Sequence, residues 1–404
     1  MKPLEFLSSV LDAAGRRLSR KRKPSPASRL QGIAESRLKA QAGNKSAGGI
    51  DLASGAPEFS TPLMLKELAI DAIGSDQNQY SHAQGDPILR ANIADQARQD
   101  WGRSVDADSE VTITSGTSAG LAAIILSFVE PGSEVVVFEP FFESYLAAIK
   151  IAGGIPRVVG LEPGSWRLDR DALGKAFNRR TRAVILNTPH NPTGRVFDSG
   201  EIRSILSLAA EYGAVVLSDE IYSQLTFDRK SHLSPASFTA YADRIVVVDG
   251  LSKAYNATGW RVGYVIAPAE LTASFRKMHS TLGLSAPTPF QVAARSVFGV
   301  GREERTAEAS LYQEARDRLC TTLVQAGFLL SPPEGGAFVL ADGLPLTSGR
   351  PVTPEWLLDA TGVRAVSGDS FFASPANHGR FLRFCFARKP ETIDRACQAL
   401  SKLG

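Results

Sequence analysis

The chain has 404 residues, of which 43% are hydrophobic and 22% are charged, a composition typical of a globular protein. No apolar run approaches the roughly 20 residues that a membrane-spanning helix requires. The formal net charge is +3, yet residues 1–26 contain seven basic and two acidic side chains, so −2 remains for the rest of the chain. A slightly acidic body excludes the basic surface of a nucleic-acid-binding domain.

Residues 1–27 form a basic N-terminal extension. Its leucines at positions 4, 7, 11 and 18 fall on one helical face, which is compatible with a membrane-surface or targeting helix. Glu5 and Asp12 argue against a transit peptide, and a solvated extension is the favoured interpretation. The chain's three cysteines lack metal-site spacing, and their odd number fits a reducing compartment, so we expect no metal and a cytoplasmic location.

From Ser28 onward, short Val- and Ile-rich runs alternate with helical segments, which predicts an α/β fold with a mostly parallel sheet covered by helices on both faces. We expect a large domain over 51–295 and a smaller α+β domain over 28–50 and 296–404. The predicted helices of the smaller domain cover 28–41, 302–328 and 391–403. The predicted strands are 110–114, 134–138, 182–187, 214–218, 244–249, 261–267, 335–342 and 380–387.

Ligands of open α/β sheets bind beyond the carboxyl ends of the strands, so the residues that follow each strand are informative. The strand over 110–114 leads into a turn that contains Ser115, Gly116 and Thr117, before an apolar helix. Such a turn directs backbone N–H groups and hydroxyls at one point, as a phosphate cradle does. An ordinary capped turn is an equally good interpretation of this stretch alone.

The next two strand ends carry rings and amides. EPFFESY places Phe141 and Phe142 where one ring could stack on a flat ligand, although two core phenylalanines would give the same pattern. NTPHNPTG places Asn187 and Asn191 in a proline-stiffened loop that can present amides to a ligand oxygen. Turn formation alone would also explain this loop.

Charged residues follow the last two parallel strands. Asp219 comes directly after apolar residues, where a carboxylate is unfavourable unless a cation or hydrogen-bond donors meet it; Glu220 is expected to be its solvated neighbour. One helical turn would place Tyr222 on the same face as Asp219. GLSKAYNATGWRVGY then supplies a serine, a lysine and an arginine within ten residues, at Ser252, Lys253 and Arg261.

Together these residues predict a pyridoxal phosphate site. That cofactor requires a lysine amine for a Schiff base, a carboxylate against its pyridine nitrogen, and N–H groups with a cation around its phosphate. The sequence offers all of these at the ends of adjacent predicted strands.

The chain resembles the class I/II aminotransferases of pyridoxal-phosphate fold type I, from about residue 28 to the C-terminus. Within that family it is most similar to the kynurenine, glutamine and aromatic aminotransferase branch. The resemblance rests on LASGAPEFSTP (52–62), QYSHAQGDPILR (79–90), TSGTSAG (114–120), EPFFESY (139–145), NTPHNPTG (187–194), SDEIY (218–222), LSKAYNATGWRVGY (251–264), EGGAFVL (334–340) and RFLRFCF (380–386).

The resemblance implies a role for each matched residue. Lys253 would carry the Schiff base and act as general acid–base, and Asp219 would pair with the pyridine nitrogen. Tyr222 and Asn191 would contact the ring's 3′ oxygen, and Phe142 would stack on the ring. The phosphate would be held by Ser115, Gly116, Thr117, Ser252 and Arg261, and by Tyr80 from the neighbouring subunit of a homodimer. The substrate would be bound by Gly55, Asn187, Phe338 and Arg383; without the resemblance, Arg383 would read as an edge-strand surface charge.

The resemblance also implies a substrate class. Residues 279–291 contain no arginine where dicarboxylate-specific members place a second clamp, and Phe59 and Phe338 would make an apolar pocket wall. We therefore expect an aminotransferase for a neutral or aromatic L-amino acid and a 2-oxo acid, with no nucleic-acid or membrane partner. The alternative is a lyase, cyclase or replacement enzyme with the same cofactor contacts.

Overall fold

The structure, a computed structural model, describes residues 48–283, 285–298 and 309–404. The basic extension over 1–27 and the helix predicted over 28–41 lie outside these residues. The strands of the described part are β1 Ile50–Asp51, β2 Val111–Thr114, β3 Glu134–Glu139, β4 Ile155–Gly160, β5 Thr181–Asn187, β6 Val215–Asp219, β7 Ile245–Gly250, β8 Gly263–Ile266, β9 Phe338–Asp342, β10 Val363–Arg364, β11 Val366–Ser367 and β12 Phe381–Cys385.

The α-helices alternate with these strands along most of the chain, as the sequence predicts. Each begins and ends at the following residues: α1 Leu63–Gly74, α2 Pro87–Trp101, α3 Thr117–Phe128, α4 Ser144–Ile151, α5 Arg170–Ala176, α6 Ser199–Tyr212, α7 Leu251–Ala254, α8 Ala269–Gly283, α9 Thr288–Ala294, α10 Ala309–Gln325, α11 Pro354–Thr361 and α12 Pro390–Leu400. No helix within the described ranges is long and apolar enough to cross a membrane.

Local sequence explains where individual helices begin and end. At the start of α6, the Asp198 side chain accepts from the backbone N–H of Glu201 while the Glu201 carboxylate accepts from the N–H of Asp198, which forms a capping box. The same helix ends at Gly213, whose left-handed conformation a residue without Cβ adopts readily.

Seven strands form the main sheet, in the order β2-β8-β7-β6-β5-β3-β4. Strands β3 to β7 pair in parallel, and β8 runs antiparallel to both β2 and β7. This arrangement confirms the predicted mostly parallel sheet. Strand β4 was not predicted, because it lies at the sheet edge with most of its side chains exposed and therefore lacks the apolar run of a buried strand.

Both faces of the main sheet are buried. Along β3, Val136 and Phe138 belong to an apolar cluster shared with α2 and α6, whereas Val135 and Val137 belong to a second cluster shared with α3 and α8. Helices therefore cover the sheet on both sides, which explains why its central strands read as continuous apolar runs.

A third apolar cluster lies around a smaller antiparallel sheet of order β11-β12-β9. It includes Tyr312 and Leu319 of α10, Ile393 of α12, and Leu52, which follows the short strand β1. Strand β1 pairs in parallel with β10, so the start of the described chain joins its C-terminal part. The division into two domains stays a prediction, because residues 221–227 also contribute to this cluster.

Strand register brings the predicted site residues together. Asn187 at the end of β5 pairs with Asp219 at the end of β6, and Asp219 pairs with Val248 of β7. Two residues beyond Val248, β7 ends at Gly250, and Lys253 lies in the short helix α7 that follows. The chemistry-bearing residues therefore share one edge of the main sheet.

Candidate active site

The Lys253 amine lies at this edge and is half-buried. Its Nζ donates a hydrogen bond to the backbone oxygen of Gly55 at 2.6 Å. Burial, together with the nearby positive charges of Arg383 and Arg388, lowers the pKa of Lys253 from 10.5 to about 8, although Cys385 acts in the opposite direction. A substantial fraction of the amine is therefore neutral near pH 8, and the neutral amine is the nucleophilic form.

Asp219 is a buried carboxylate that forms no ion pair within the described residues. Its Oδ2 accepts from the Tyr145 hydroxyl at 2.6 Å, and its Oδ1 accepts from the backbone N–H of Ile221 at 3.3 Å. The pKa of Asp219 is raised from 3.8 to about 6, because burial and the charge of Glu220 outweigh the opposing hydrogen bonds from Tyr145 and Ile221. The site thus presents a buried carboxylate to which a cationic N–H group would be a favourable partner.

Asn187 and Asn191 connect Asp219 to Arg383. The Asn187 side chain donates to the backbone oxygen of Asp219 at 2.9 Å and accepts from the backbone N–H of Asn191 at 2.7 Å. The Asn191 side-chain oxygen in turn accepts from Arg383 Nη1 at 3.2 Å. These contacts fix the loop beyond β5 against both strand ends.

Arg383 is buried on β12, which is the central strand of the smaller sheet, so it is not an edge-strand surface charge. Its guanidinium carbon lies 4.1 Å from the ring centroid of Phe338 and 4.9 Å from that of Phe371. Two aromatic faces hold the planar guanidinium in place by cation–π contact and packing. A guanidinium held in this way is suited to bidentate binding of a carboxylate.

The turn between β2 and α3 meets Arg261 at close range. Gly116 has φ +83°, and a Cβ at this position would lie 2.3 Å from Arg261 Nη2, so glycine is required both by conformation and by space. Arg261 itself donates to the backbone oxygens of Thr258 at 2.9 Å and Ser115 at 3.4 Å. The N-terminus of α3 and a guanidinium therefore converge, which is the arrangement that binds a phosphate.

The aromatic residues of the predicted site occupy different environments. Phe141 is fully buried in the core, whereas Phe142 is half-buried, so Phe142 is the more accessible of the two rings. Tyr222 is buried, its ring lies edge-on to Phe338 at 6.1 Å, and burial raises the pKa of its hydroxyl. Tyr80 is 85% exposed.

Two expectations about the segment after β6 were wrong. Residues 221–224 form a turn, so Asp219 and Tyr222 do not share a helical face. Glu220 is buried rather than solvated, and its carboxylate accepts from the hydroxyls of Ser218 and Ser234 and lies 2.7 Å from His232 Nε2. Strand alternation explains this, because adjacent residues at the end of β6 point to opposite faces of the sheet.

Sequence reasoning missed Tyr145 and Phe371. Tyr145 was quoted as the last residue of EPFFESY but received no role, although it lies one turn beyond Phe142 and is polar in an otherwise apolar segment. Phe371 lies in a short 3-10 helix, Gly368–Phe371, that no pattern predicted. The sequence contains no signal that would have placed its ring beside Arg383.

Comparison with known proteins identifies the family. Residues 47–400 match the family model described as aminotransferase class I and II. The chain is 36% identical over 373 residues to a probable N-succinyldiaminopimelate aminotransferase of Mycobacterium tuberculosis, with 88% of this chain and 93% of the relative covered. It is 30% identical over 402 residues to a kynurenine–oxoglutarate transaminase of Dictyostelium discoideum, with 88% and 90% covered.

The solved structures agree with this result. The crystal structure of a methionine aminotransferase from Escherichia coli superimposes with a TM-score of 0.88 at 32% identity, covering 94% of this chain and 100% of that one. The chain therefore belongs to the class I and II aminotransferase family, has the pyridoxal-phosphate fold type I, and is an aminotransferase.

Proteins of this family use pyridoxal 5′-phosphate, and the described residues fit that cofactor. The half-buried Lys253 has a depressed pKa, and Asp219 is a buried carboxylate without an ion pair among the described residues. The Arg261 guanidinium packs directly against Gly116 at the N-terminus of α3, so a cation and a helix N-terminus lie side by side. An amine, a buried acid and a cation beside a helix N-terminus are the kinds of group that the cofactor requires.

We predict that Asp219 makes the cofactor-free protein less stable as pH rises. Its folded-state pKa of about 6 exceeds the ordinary 3.8, so between pH 4 and pH 6 the unfolded chain has released a proton that the folded chain retains. Stability is therefore lost across this interval, by about 3 kcal/mol in total. Asp219→Asn should remove this loss in urea denaturation of the cofactor-free protein at pH 4.5 and pH 8.

The exposed carboxylate of Asp359 provides the control for this experiment. Asp359→Asn should leave the wild-type pH dependence intact. Identical pH dependence in wild type and Asp219→Asn would contradict the prediction.

Proposed function

We propose that the protein transfers the amino group of a neutral or aromatic L-amino acid to a 2-oxo acid. The observation that carries this proposal is the buried guanidinium of Arg383, which lies over the rings of both Phe338 and Phe371. One fixed guanidinium suits the one α-carboxylate that both substrates share, and apolar rings beside it suit an uncharged side chain.

We also propose a role for each residue that would contact the cofactor. Lys253 would form the covalent link, Asp219 would face the pyridine nitrogen, and Phe142 would lie against the ring. Tyr222 and Asn191 would contact the 3′ oxygen. The phosphate would be held by Ser115, Gly116, Thr117, Ser252 and Arg261, and by Tyr80 of the partner subunit.

The sequence of the predicted pocket wall favours an uncharged substrate side chain. Residues 279–291, predicted to line the far wall of the pocket, contain no lysine or arginine that could bind a second carboxylate. Relatives of the chain are named for methionine, kynurenine, arginine and N-succinyldiaminopimelate, which include charged and uncharged side chains, so the proposal for this chain rests on its own residues.

The chain's own residues account for the proton transfer. Arg383 would bind the α-carboxylate and so orient the amino acid with its Cα hydrogen toward Lys253 Nζ. The Lys253 amine would then accept that proton. A base with a pKa of about 8 is well matched to this task near neutral pH. When bound, the cofactor supplies the electron sink that stabilises the resulting negative charge.

A half-reaction tests this function directly. Wild-type protein loaded with pyridoxal phosphate is mixed with methionine, phenylalanine or aspartate in the absence of any 2-oxo acid. We expect the visible absorbance band to disappear with the neutral amino acids and mass spectrometry to find the amino group on the cofactor. Lys253→Ala should lose roughly 10²–10⁴-fold in this rate, the usual contribution of a positioned acid–base.

Retention of the absorbance band together with release of another product would favour the lyase, cyclase or replacement alternative. Faster conversion of aspartate than of the neutral amino acids would contradict the proposed substrate class.

We predict that Arg383→Lys raises the amino-acid KM about 50-fold or more, since a point charge replaces a fork that can bind a carboxylate bidentately. Cofactor binding should be unchanged. Arg380→Lys is the matched control, because Arg380 lies next to β12 but pairs with Asp342 at 2.8 Å. An unchanged KM in Arg383→Lys would place the substrate carboxylate elsewhere.

The surface of α1 supports a homodimer. Leu63, Met64, Ile70 and Ile73 of this helix are 65%, 50%, 66% and 49% exposed, and the exposed Tyr80 follows a few residues later. An apolar surface of this kind indicates a protein partner. We propose that this partner is a second copy of the chain, and that Tyr80 of the partner subunit completes the phosphate site.

We also propose a cytoplasmic location, which is consistent with the three free cysteines.

Mixing two impaired variants tests the shared site. Tyr80→Ala and Lys253→Ala subunits are unfolded together and refolded, so that hybrid dimers form. If Tyr80 acts across the interface, each hybrid contains one intact site and activity reappears, whereas either variant refolded alone stays impaired. No recovery in verified hybrid dimers, or a monomeric wild type, would contradict the proposal.

A further inference from the structure

We propose that Tyr145 is a positioning residue for the cofactor-facing carboxylate: its hydroxyl keeps Asp219 ionised and oriented, and its ring braces Phe142. This inference rests on the proposed roles of Asp219 and Phe142 in holding the cofactor.

The first observation is a short buried hydrogen bond. Tyr145 is 4% and Asp219 is 5% exposed, and the Tyr145 hydroxyl donates to Asp219 Oδ2 at 2.6 Å. The other oxygen of Asp219 receives only a longer bond, from the backbone N–H of Ile221 at 3.3 Å. Tyr145 is therefore the main group that fixes the rotation of the carboxylate. A carboxylate has about four acceptor positions, so room remains for a ligand N–H.

The second observation is the contact between Tyr145 and Phe142. Their ring centroids lie 5.5 Å apart at an interplanar angle of 84°, an edge-to-face arrangement. Both residues belong to the segment that enters α4, and Tyr145 packs in the buried cluster on that side of the main sheet. One side chain therefore contacts the group predicted to face the pyridine nitrogen and the ring predicted to lie against the cofactor.

The charge balance around Asp219 explains why a donor is needed. Burial and the neighbouring Glu220 both favour the protonated acid, while the Tyr145 and Ile221 hydrogen bonds favour the carboxylate. Burial and the charge of Asp219 raise the pKa of Tyr145 well above 10, so Tyr145 keeps its proton and remains a donor. Tyr222 is the other titratable hydroxyl coupled to this pair.

The consequence concerns the position of one proton. A carboxylate that accepts a strong hydrogen bond binds a proton less tightly, so a proton shared with a pyridine nitrogen lies on the nitrogen. Without the Tyr145 hydroxyl, the more basic Asp219 would draw that proton toward itself. The electron-withdrawing power of the ring would fall, although the ring of a phenylalanine would preserve the packing against Phe142.

Tyr145→Phe tests the inference with cofactor labelled with ¹⁵N in its pyridine ring. We expect the ¹⁵N resonance to move from the protonated toward the neutral pyridine position, and the cofactor dissociation constant to rise about tenfold, the effect of one charge-assisted hydrogen bond. The kcat should fall while the amino-acid KM stays within twofold, because Arg383 is untouched.

Tyr264→Phe is the matched control. It also removes a buried tyrosine hydroxyl from a buried carboxylate, since Tyr264 donates to Asp249 at 3.3 Å. Asp219 pairs with Val248, so Asp249, the next residue of β7, points to the opposite face of the sheet. Tyr264→Phe should leave the ¹⁵N resonance and the cofactor affinity at their wild-type values.

A Tyr145→Phe protein with wild-type ¹⁵N resonance and cofactor affinity would overturn the inference, even if its thermal stability fell as much as that of Tyr264→Phe. Failure of the wild-type protein to bind the cofactor at all would instead overturn the proposed function on which the inference rests.

Discussion

The proposed site is organised around one buried carboxylate, Asp219, for which the described residues supply no ion-pair partner. Asp219 ends a central strand of the main sheet, and burial raises its pKa to about 6. Such a residue lowers the stability of the folded protein at neutral pH. A positively charged ligand atom that paired with the Asp219 carboxylate would remove this cost. The protein also supplies an amine, a helix N-terminus beside a cation, and a buried guanidinium, which the same ligand and its substrate would need.

Two separate sheets deliver these groups. The main sheet brings Asn187, Asp219 and Lys253 to one edge through the register of three parallel strands. The smaller antiparallel sheet contributes Arg383, and the hydrogen bond from Arg383 to Asn191 joins the two sets.

Sequence reasoning recovers those parts of the fold and site that arise from local pattern. The central strands are apolar runs. Asp219 and Lys253 stand out because each is a charged residue at or just after the end of such a run. The exposed edge strand β4 has no such run, so the sequence did not predict it. Glu220 is buried because of the sheet face to which its side chain points, which local sequence pattern does not show. The Tyr145–Asp219 contact joins residues 74 positions apart, and Phe371 reaches Arg383 from a short 3-10 helix, so neither follows from periodicity or spacing.

Borohydride reduction tests the central claim most directly. Purified protein is incubated with pyridoxal phosphate, reduced, digested and analysed by peptide mass spectrometry, which locates any amine covalently joined to the cofactor. The account predicts one modified peptide, the one that contains Lys253, in near-stoichiometric yield. Unmodified Lys253, or modification spread over surface lysines in protein that retains no cofactor, would contradict it.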